Sequence, residues 1–228
     1  MKKEIYKAED RGKADHGWLQ SRFSFSFADY HDPNKMGFGK LRVLNDDIIA
    51  PDSGFGMHPH DNMEIVTIIL EGALEHEDNM GNKEILKKGE VQRISAGSGI
   101  THSEINASKE KTKMLQIWIE TKEQDIKPSY EQNRYEVKKN EIKTIVSGKK
   151  IKNTLYIHQD AYFSIGKFEK NKSTEYTLKT KMAYIFVIEG NVEIEKKQLS
   201  RRDAIGISET DKINITAKEN SEFLIIEI

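Results

Sequence analysis

Short apolar runs, each bounded by Gly, Asn, Asp or Lys, dominate the chain: Leu41-Arg42-Val43-Leu44, Ile65-Val66-Thr67-Ile68-Ile69-Leu70, Leu115-Gln116-Ile117-Trp118-Ile119 and Tyr184-Ile185-Phe186-Val187-Ile188. They are rich in β-branched and aromatic residues and too short for free-standing amphipathic helices, so they predict strands. Asn79-Met80-Gly81-Asn82 predicts a hairpin turn between His76-Glu77-Asp78 and Lys83-Glu84-Ile85-Leu86. Many short strands at this spacing predict an all-β protein made of antiparallel barrels or jelly rolls.

A weak repeat divides the pattern in two. Ile69-Leu70-Glu71-Gly72-Ala73-Leu74-Glu75 recurs 118 residues later as Val187-Ile188-Glu189-Gly190-Asn191-Val192-Glu193, and each copy is followed by a polar turn. Two antiparallel β-barrel domains are therefore expected, residues 1–132 and 133–228. The lysine-rich stretches at 138–143 and 149–152 predict a solvated linker and hairpin between them. Residues 125–130 predict an extended crossing segment.

Composition narrows the partners. The chain has 228 residues, enough for two modest cores, and 36 Lys plus Arg balance 37 Asp plus Glu. A net charge of -1 supplies no field for nucleic acid or membrane. The absence of cysteine excludes disulfides, thiolate metal sites and cysteine nucleophiles. No apolar segment follows the charged start of the chain, and no window approaches the roughly 18 apolar residues of a spanning helix. A soluble, cytoplasmic, monomeric protein is the expectation.

Candidate chemistry is concentrated at two places. Met57-His58-Pro59-His60 and Thr101-His102-Ser103-Glu104 each hold two donor side chains at positions i and i+2, on one face of a strand. On neighbouring strands, His58, His60, His102 and Glu104 would converge on one point. Three nitrogens and one oxygen suit a first-row transition metal such as iron, nickel, copper, manganese or zinc. Four protein ligands around an octahedral ion leave two positions open. The competing reading, ordinary surface or core histidines, fits a lone histidine better than two such pairs. No histidine follows His158, so the second repeat cannot rebuild the set. It is expected to be metal-free, giving one ion per chain.

The stretch Gly54-Phe55-Gly56-Met57-His58-Pro59-His60-Asp61-Asn62-Met63-Glu64-Ile65 resembles the pirin family, as does Val91-Gln92-Arg93-Ile94-Ser95-Ala96-Gly97-Ser98-Gly99-Ile100-Thr101-His102-Ser103-Glu104. Shorter matches include Gly17-Trp18-Leu19, Phe25-Ser26-Phe27 and Met36-Gly37-Phe38-Gly39, and the dense resemblance ends near residue 132. It implies a bicupin holding one divalent metal, usually Fe(2+), on His58, His60, His102 and Glu104. It further implies a small-molecule substrate and O2, with quercetin or a related flavonol opened by a dioxygenase. Glu104 would double as the general base for an incoming hydroxyl. The alternative within the same family is a non-enzymatic, redox-sensing regulator that contacts a protein partner.

Four further readings accompany the resemblance. Glu64, four residues after His60, stands where the commonest cupins carry their carboxylate ligand; Glu104 is preferred because it shares a strand face with His102. His76 is expected to be exposed and paired with neighbouring acids, and His158 to be structural. Phe23, Phe25, Phe27, Phe38 and Phe55 are either the wall of a planar-substrate pocket or plain core. Phe23-Ser24 stands where many family members carry His-Thr, which bears on substrate choice.

Overall fold

The computed structural model describes residues 1–228, and its regular elements are strands apart from one 3₁₀ turn at Ala8–Asp10. The strands in chain order begin with β1 (Lys2–Tyr6), β2 (Gly12–Asp15), β3 (Leu19–Phe23), β4 (Leu41–Ile49), β5 (Gly54–His60) and β6 (Met63–Glu71). There follow β7 (Ala73–Asp78), β8 (Lys83–Lys87), β9 (Glu90–Ser95), β10 (Ile100–Asn106), β11 (Thr112–Glu120) and β12 (Ser129–Arg134). The remainder are β13 (Glu141–Ser147), β14 (Leu155–Tyr156), β15 (Tyr162–Phe168), β16 (Ser173–Thr177), β17 (Met182–Glu189), β18 (Asn191–Ile194), β19 (Lys197–Ser200), β20 (Ala204–Ser208), β21 (Lys212–Ala217) and β22 (Ser221–Glu227).

Two compact units result. One comprises residues 12–135 and 155–159; the other comprises 1–11, 136–154 and 160–228. These units depart from a single division at 132: residues 1–11 fall with the C-terminal strands, where β1 pairs along its length with β20, and residues 155–159 fall with the first unit. In the first unit, a sheet ordered β12-β9-β6-β11-β4-β3-β2 packs against a sheet ordered β5-β10-β7-β8. In the second, strands β20-β17-β22-β15-β13 pack with a sheet ordered β16-β21-β18-β19. These are jelly rolls of facing sheets rather than closed barrels: each ladder stops at an edge strand instead of running round.

Two local expectations change. Residues 141–147 form β13, paired with β15 and burying Ile145 and Val146, although flanking lysines give the segment the look of a solvated linker. Residues 129–134 form β12, paired with β9, so the extended segment ends as a strand of the first sheet. The hairpin turn at 79–82 lies between β7 and β8 as its residues predict.

The interior of the first unit is layered. Along β6 the inward positions read Ile65, Thr67, Ile69; along β11 they read Trp118, Gln116, Met114. Ile65 joins Ile94 and Ile100 in one apolar cluster, with Trp118 against it, while Ile69 and Met114 join Leu74 and Ile49 in another. Between these clusters lie Thr67, Gln92 and Gln116, opposite one another on β6, β9 and β11. The second unit has no such interruption at the corresponding place. At the repeat's offset of 118 residues, Thr67 corresponds to Ile185, which sits in a continuous apolar core with Val187, Ile213, Phe223 and Ile225.

Gly54 marks where β5 is drawn against β10. A Cβ there would collide with the Glu104 carbonyl and lie 2.6 Å from the Ile105 Cα, both backbone atoms. Gly54→Ala is therefore expected to lower stability by about 1–3 kcal/mol, as overpacking typically does. Gly56→Ala, with nothing within 4 Å of its Cβ, should change stability by less than about 0.5 kcal/mol. Urea midpoints of the two variants, measured side by side, check the contrast.

Candidate metal centre

Strand register brings the donors together. On one side of β10, His58 of β5 lies opposite His102 and His60 opposite Ile100. The register then shifts: from His58 to Phe55 takes three residues on β5, while from His102 to Glu104 takes two. This bulge re-aims the edge strand. On the other side, β7 places Asp78 opposite His102 and His76 opposite Glu104. The donor atoms of His58, His60 and His102 lie within 4.8 Å of one another, and so do those of His76, His102 and Glu104. His102 belongs to both groups.

His102 and Glu104 are buried, whereas His58 and His60 on the edge strand are partly exposed. Ring centroids of the three imidazoles stand 4.4–4.9 Å apart. Burial, reinforced by His58 and His60, pushes the His102 imidazole down to about 2, and burial with His58 pushes His60 down to about 4. Both therefore remain in the neutral form that ligates metals. The His58 Nδ1–H reaches the Gly56 carbonyl at 2.7 Å, which leaves its Nε2 lone pair free. The His102 Nε2 is buried without a hydrogen-bond partner. An orphaned nitrogen of this kind, beside two more imidazoles and a carboxylate, fits a divalent transition metal.

Glu104 is held from the opposite sheet. Its Oε1 accepts from Gln92 Nε2 at 2.5 Å and Thr67 Oγ1 at 3.3 Å, and its Oε2 accepts from Gln116 Nε2 at 2.7 Å. The one Thr67 hydroxyl proton is shared between Glu104 Oε1 and Gln116 Oε1, the latter at 2.9 Å, and the hydroxyl oxygen accepts from Gln92 at 2.9 Å, which ties the three into one network. Burial pushes the Glu104 carboxyl above its ordinary range, against the pull of His76, His58 and the two amides. Nothing in the local sequence announces Gln92, Thr67 or Gln116, since each meets Glu104 only across the interior.

His76 corrects an expectation. It is fully buried, not exposed, with its Nε2 3.1 Å from Asp78 Oδ2 and its ring stacked 4.2 Å from that of Tyr130. Burial raises the Asp78 carboxyl, but hydrogen bonds from the Asn82 side chain, His76 and two backbone N–H groups outweigh it and hold the group below the usual range. The signal was present in the chain: Leu74, His76 and Asp78 share one face of β7, and Leu74 is core. The flanking Glu75 and Glu77 obscured it.

Glu64 has other partners. It is buried, accepts from Ser95 Oγ at 2.8 Å and from the His158 backbone N–H, and belongs to neither donor group. His158 therefore has a structural role here through its backbone. A cavity of about 430 Å³ opens beside His58 and Glu104, walled by Trp18, Phe23, Phe27 and Phe55. Phe25 is buried core instead, and neither Phe25 nor Phe38 lines the cavity.

Comparison with known proteins agrees with this geometry. Residues 5–119 match the Pirin family model, and residues 144–228 match the quercetinase C-terminal cupin domain. The chain is 42% identical over 226 residues to the quercetin 2,3-dioxygenase of Escherichia coli K12, covering 98% of this chain and 97% of that one. It is 41% identical over 220 residues to a pirin-like protein of Caulobacter vibrioides, covering 95% of each. Its fold superposes with a TM-score of 0.95 on a bacterial pirin of E. coli solved in complex with nickel(II), at 41% identity, covering 100% of this chain and 99% of that one.

Glu64 generates a pH prediction. Burial raises its carboxyl from an ordinary 4.5 to about 7, so the folded chain holds this proton more tightly than the unfolded chain does. The folded state therefore carries a penalty that begins as pH rises above the unfolded value and is complete above the folded one. Glu64→Gln mimics the protonated side chain and should gain on the wild type by on the order of 2–3 kcal/mol between about pH 4.5 and about pH 8. Denaturant unfolding across that range checks the sign; a difference independent of pH would refute it.

Proposed function

The chain belongs to the pirin family, and from that premise we propose that it is a dioxygenase that opens quercetin or a related flavonol with O2. It would use one divalent transition metal, iron in the cell, with nickel, copper, manganese and zinc as alternatives. His58, His60, His102 and Glu104 hold the ion in this reading. The observation that carries it is the orphaned His102 Nε2 beside a carboxylate held by side-chain donors, with that carboxylate and His58 lining an aromatic-walled cavity. The dioxygenase activity named for the E. coli K12 relative gives the substrate class.

When bound, the ion supplies Lewis acidity and one-electron chemistry with O2. The protein's own contributions follow from its geometry. Glu104 Oε2, already receiving the Gln116 amide, takes the proton of the substrate hydroxyl, and the amide donors steady the carboxylate in its ionised form. Trp18 and Phe55 meet edge to face with centroids 5.3 Å apart and give a flat ring system an apolar slot. Asn45 lies on the cavity wall with Oδ1 buried and unpartnered, a ready acceptor for a further hydroxyl on such a ring. The cavity volume falls within the range of small-molecule sites.

Elemental analysis of purified protein should find one transition-metal ion per chain, lost in His58→Ala. Metal-loaded protein should consume O2 with quercetin, and a chelator should abolish the uptake. Glu104→Gln should lower turnover by about 100-fold or more, the range of a lost general base. Glu64→Gln should be much milder because that residue lies outside the donor groups. Two ions per chain would sink the stoichiometry. Quercetin left intact by the iron, nickel, copper and manganese forms would favour the regulatory reading.

A further inference from the structure

The buried pair of His76 and Asp78 takes no part in the proposed ligand set, yet it adjoins that set through His102. The His76 Nε2 faces Asp78 Oδ2 at 3.1 Å, and the His76 Nδ1 faces the His102 Nδ1 at 3.4 Å. The far nitrogen of His102, Nε2, is the orphaned one. Proton positions along this row follow from what each group can do. An ionised carboxylate only accepts, so His76 must carry its proton on Nε2. In the neutral imidazole its Nδ1 is then a lone pair, which requires the His102 proton to be on Nδ1. That leaves His102 Nε2 as a lone pair directed away from His76.

We propose that Asp78 and His76 act as positioning residues that fix the tautomer of His102 and so keep its Nε2 open to the metal. The reading rests on the metal site proposed above but makes a separate claim about protons in the metal-free protein. Three features hold the row in place. Tyr130 stacks on His76 with 12° between the rings, which fixes the imidazole plane. The Asp78 Oδ1 accepts the backbone N–H of Met80 at 2.9 Å and of Asn82 at 3.0 Å. Its Oδ2 also accepts the Asn82 side-chain amide at 2.8 Å. The 79–82 turn therefore dictates which carboxylate oxygen is presented to His76.

This arrangement makes Asp78→Asn informative. Two backbone N–H groups require an oxygen at the Oδ1 position, so the new NH₂ must fall where Oδ2 was, facing His76 Nε2, and the Asn82 side-chain amide turns over to present its oxygen there. His76 must then accept there and carry its proton on Nδ1. The His102 Nδ1 becomes the acceptor, and the His102 proton moves to Nε2, the atom assigned to the metal. A near-isosteric change thus places a proton on a ligand nitrogen without altering the shape of the site. Changes to groups that orient metal ligands typically cost about 10- to 100-fold in affinity.

Long-range ¹H–¹⁵N correlation spectra of histidine-labelled, metal-free protein read each tautomer directly, and calorimetric titration with nickel(II) reads affinity at the same pH. In the wild type, His102 should be protonated on Nδ1 and His76 on Nε2. Asp78→Asn should invert both and weaken nickel(II) binding by about 10- to 100-fold. His76→Asn, whose side-chain oxygen can replace the Nδ1 acceptor, should restore the wild-type tautomer of His102. His102 protonated on Nε2 in the wild type would overturn the proposal without recourse to any variant. So would an Asp78→Asn protein that keeps both wild-type tautomers. Failure of the wild type to bind nickel(II), with tautomers as stated, would count against the metal reading while upholding the proton assignment.

Discussion

A carboxylate kept in a place without water is the constraint on which the first unit depends. Glu104 is 1% exposed, and an unpaired ion so placed would carry an effective penalty of several kcal/mol or give up its charge. Three side chains from the opposite sheet oppose that: Gln92, Thr67 and Gln116 lie side by side on β9, β6 and β11 and meet its two oxygens. The register of that sheet is consequently fixed twice over. Apolar alternation turns Ile65 and Ile69 inward, and the same alternation turns Thr67 inward between them. A slip of one residue would send both sets to the other face, so an error that spoiled the core would also release the carboxylate.

The two units show what this arrangement costs. Both are built from facing antiparallel sheets, but the second fills the position equivalent to Thr67 with Ile185 and packs one continuous apolar cluster around it. The first divides its apolar side chains between clusters on either side of a polar layer. Each buried polar group in that layer contributes only modestly when satisfied and destabilises strongly when not. The fold itself therefore does not require the layer. The second unit shows that the same scaffold closes without it.

The fold and half of the centre were legible from local pattern. Strand-length runs, the Glu-Gly repeat and the donors at His58, His60, His102 and Glu104 all obey a period of two, which a single strand displays in its own sequence. What escaped notice depends on partners distant in the chain. Gln92, Thr67 and Gln116 are ordinary polar residues until the sheet sets them opposite Glu104. His76 has the look of an exposed residue because Glu75 and Glu77 are solvent-facing neighbours on the same strand, whereas the period of two from Leu74 places it inside. β13 was hidden similarly, by lysines at its ends. β1 clusters with the far end of the chain, a pairing no local signal carries.

The proposed ligand set is divided by its position in the sheet. β5 is an edge strand, and it carries the two partly exposed imidazoles, His58 and His60. β10 lies inside the same sheet and carries His102 and Glu104, each fully enclosed and each engaged by groups that orient it. An ion arriving from solvent would meet the edge pair first, then the deeper pair, whose lone pairs are already aimed. The desolvation of His102 and Glu104 is met during folding rather than at binding, which is what preorganisation means for a metal centre. The edge strand, held to β10 by the close approach at Gly54 and turned by the bulge beyond His58, then needs little rearrangement to complete the set.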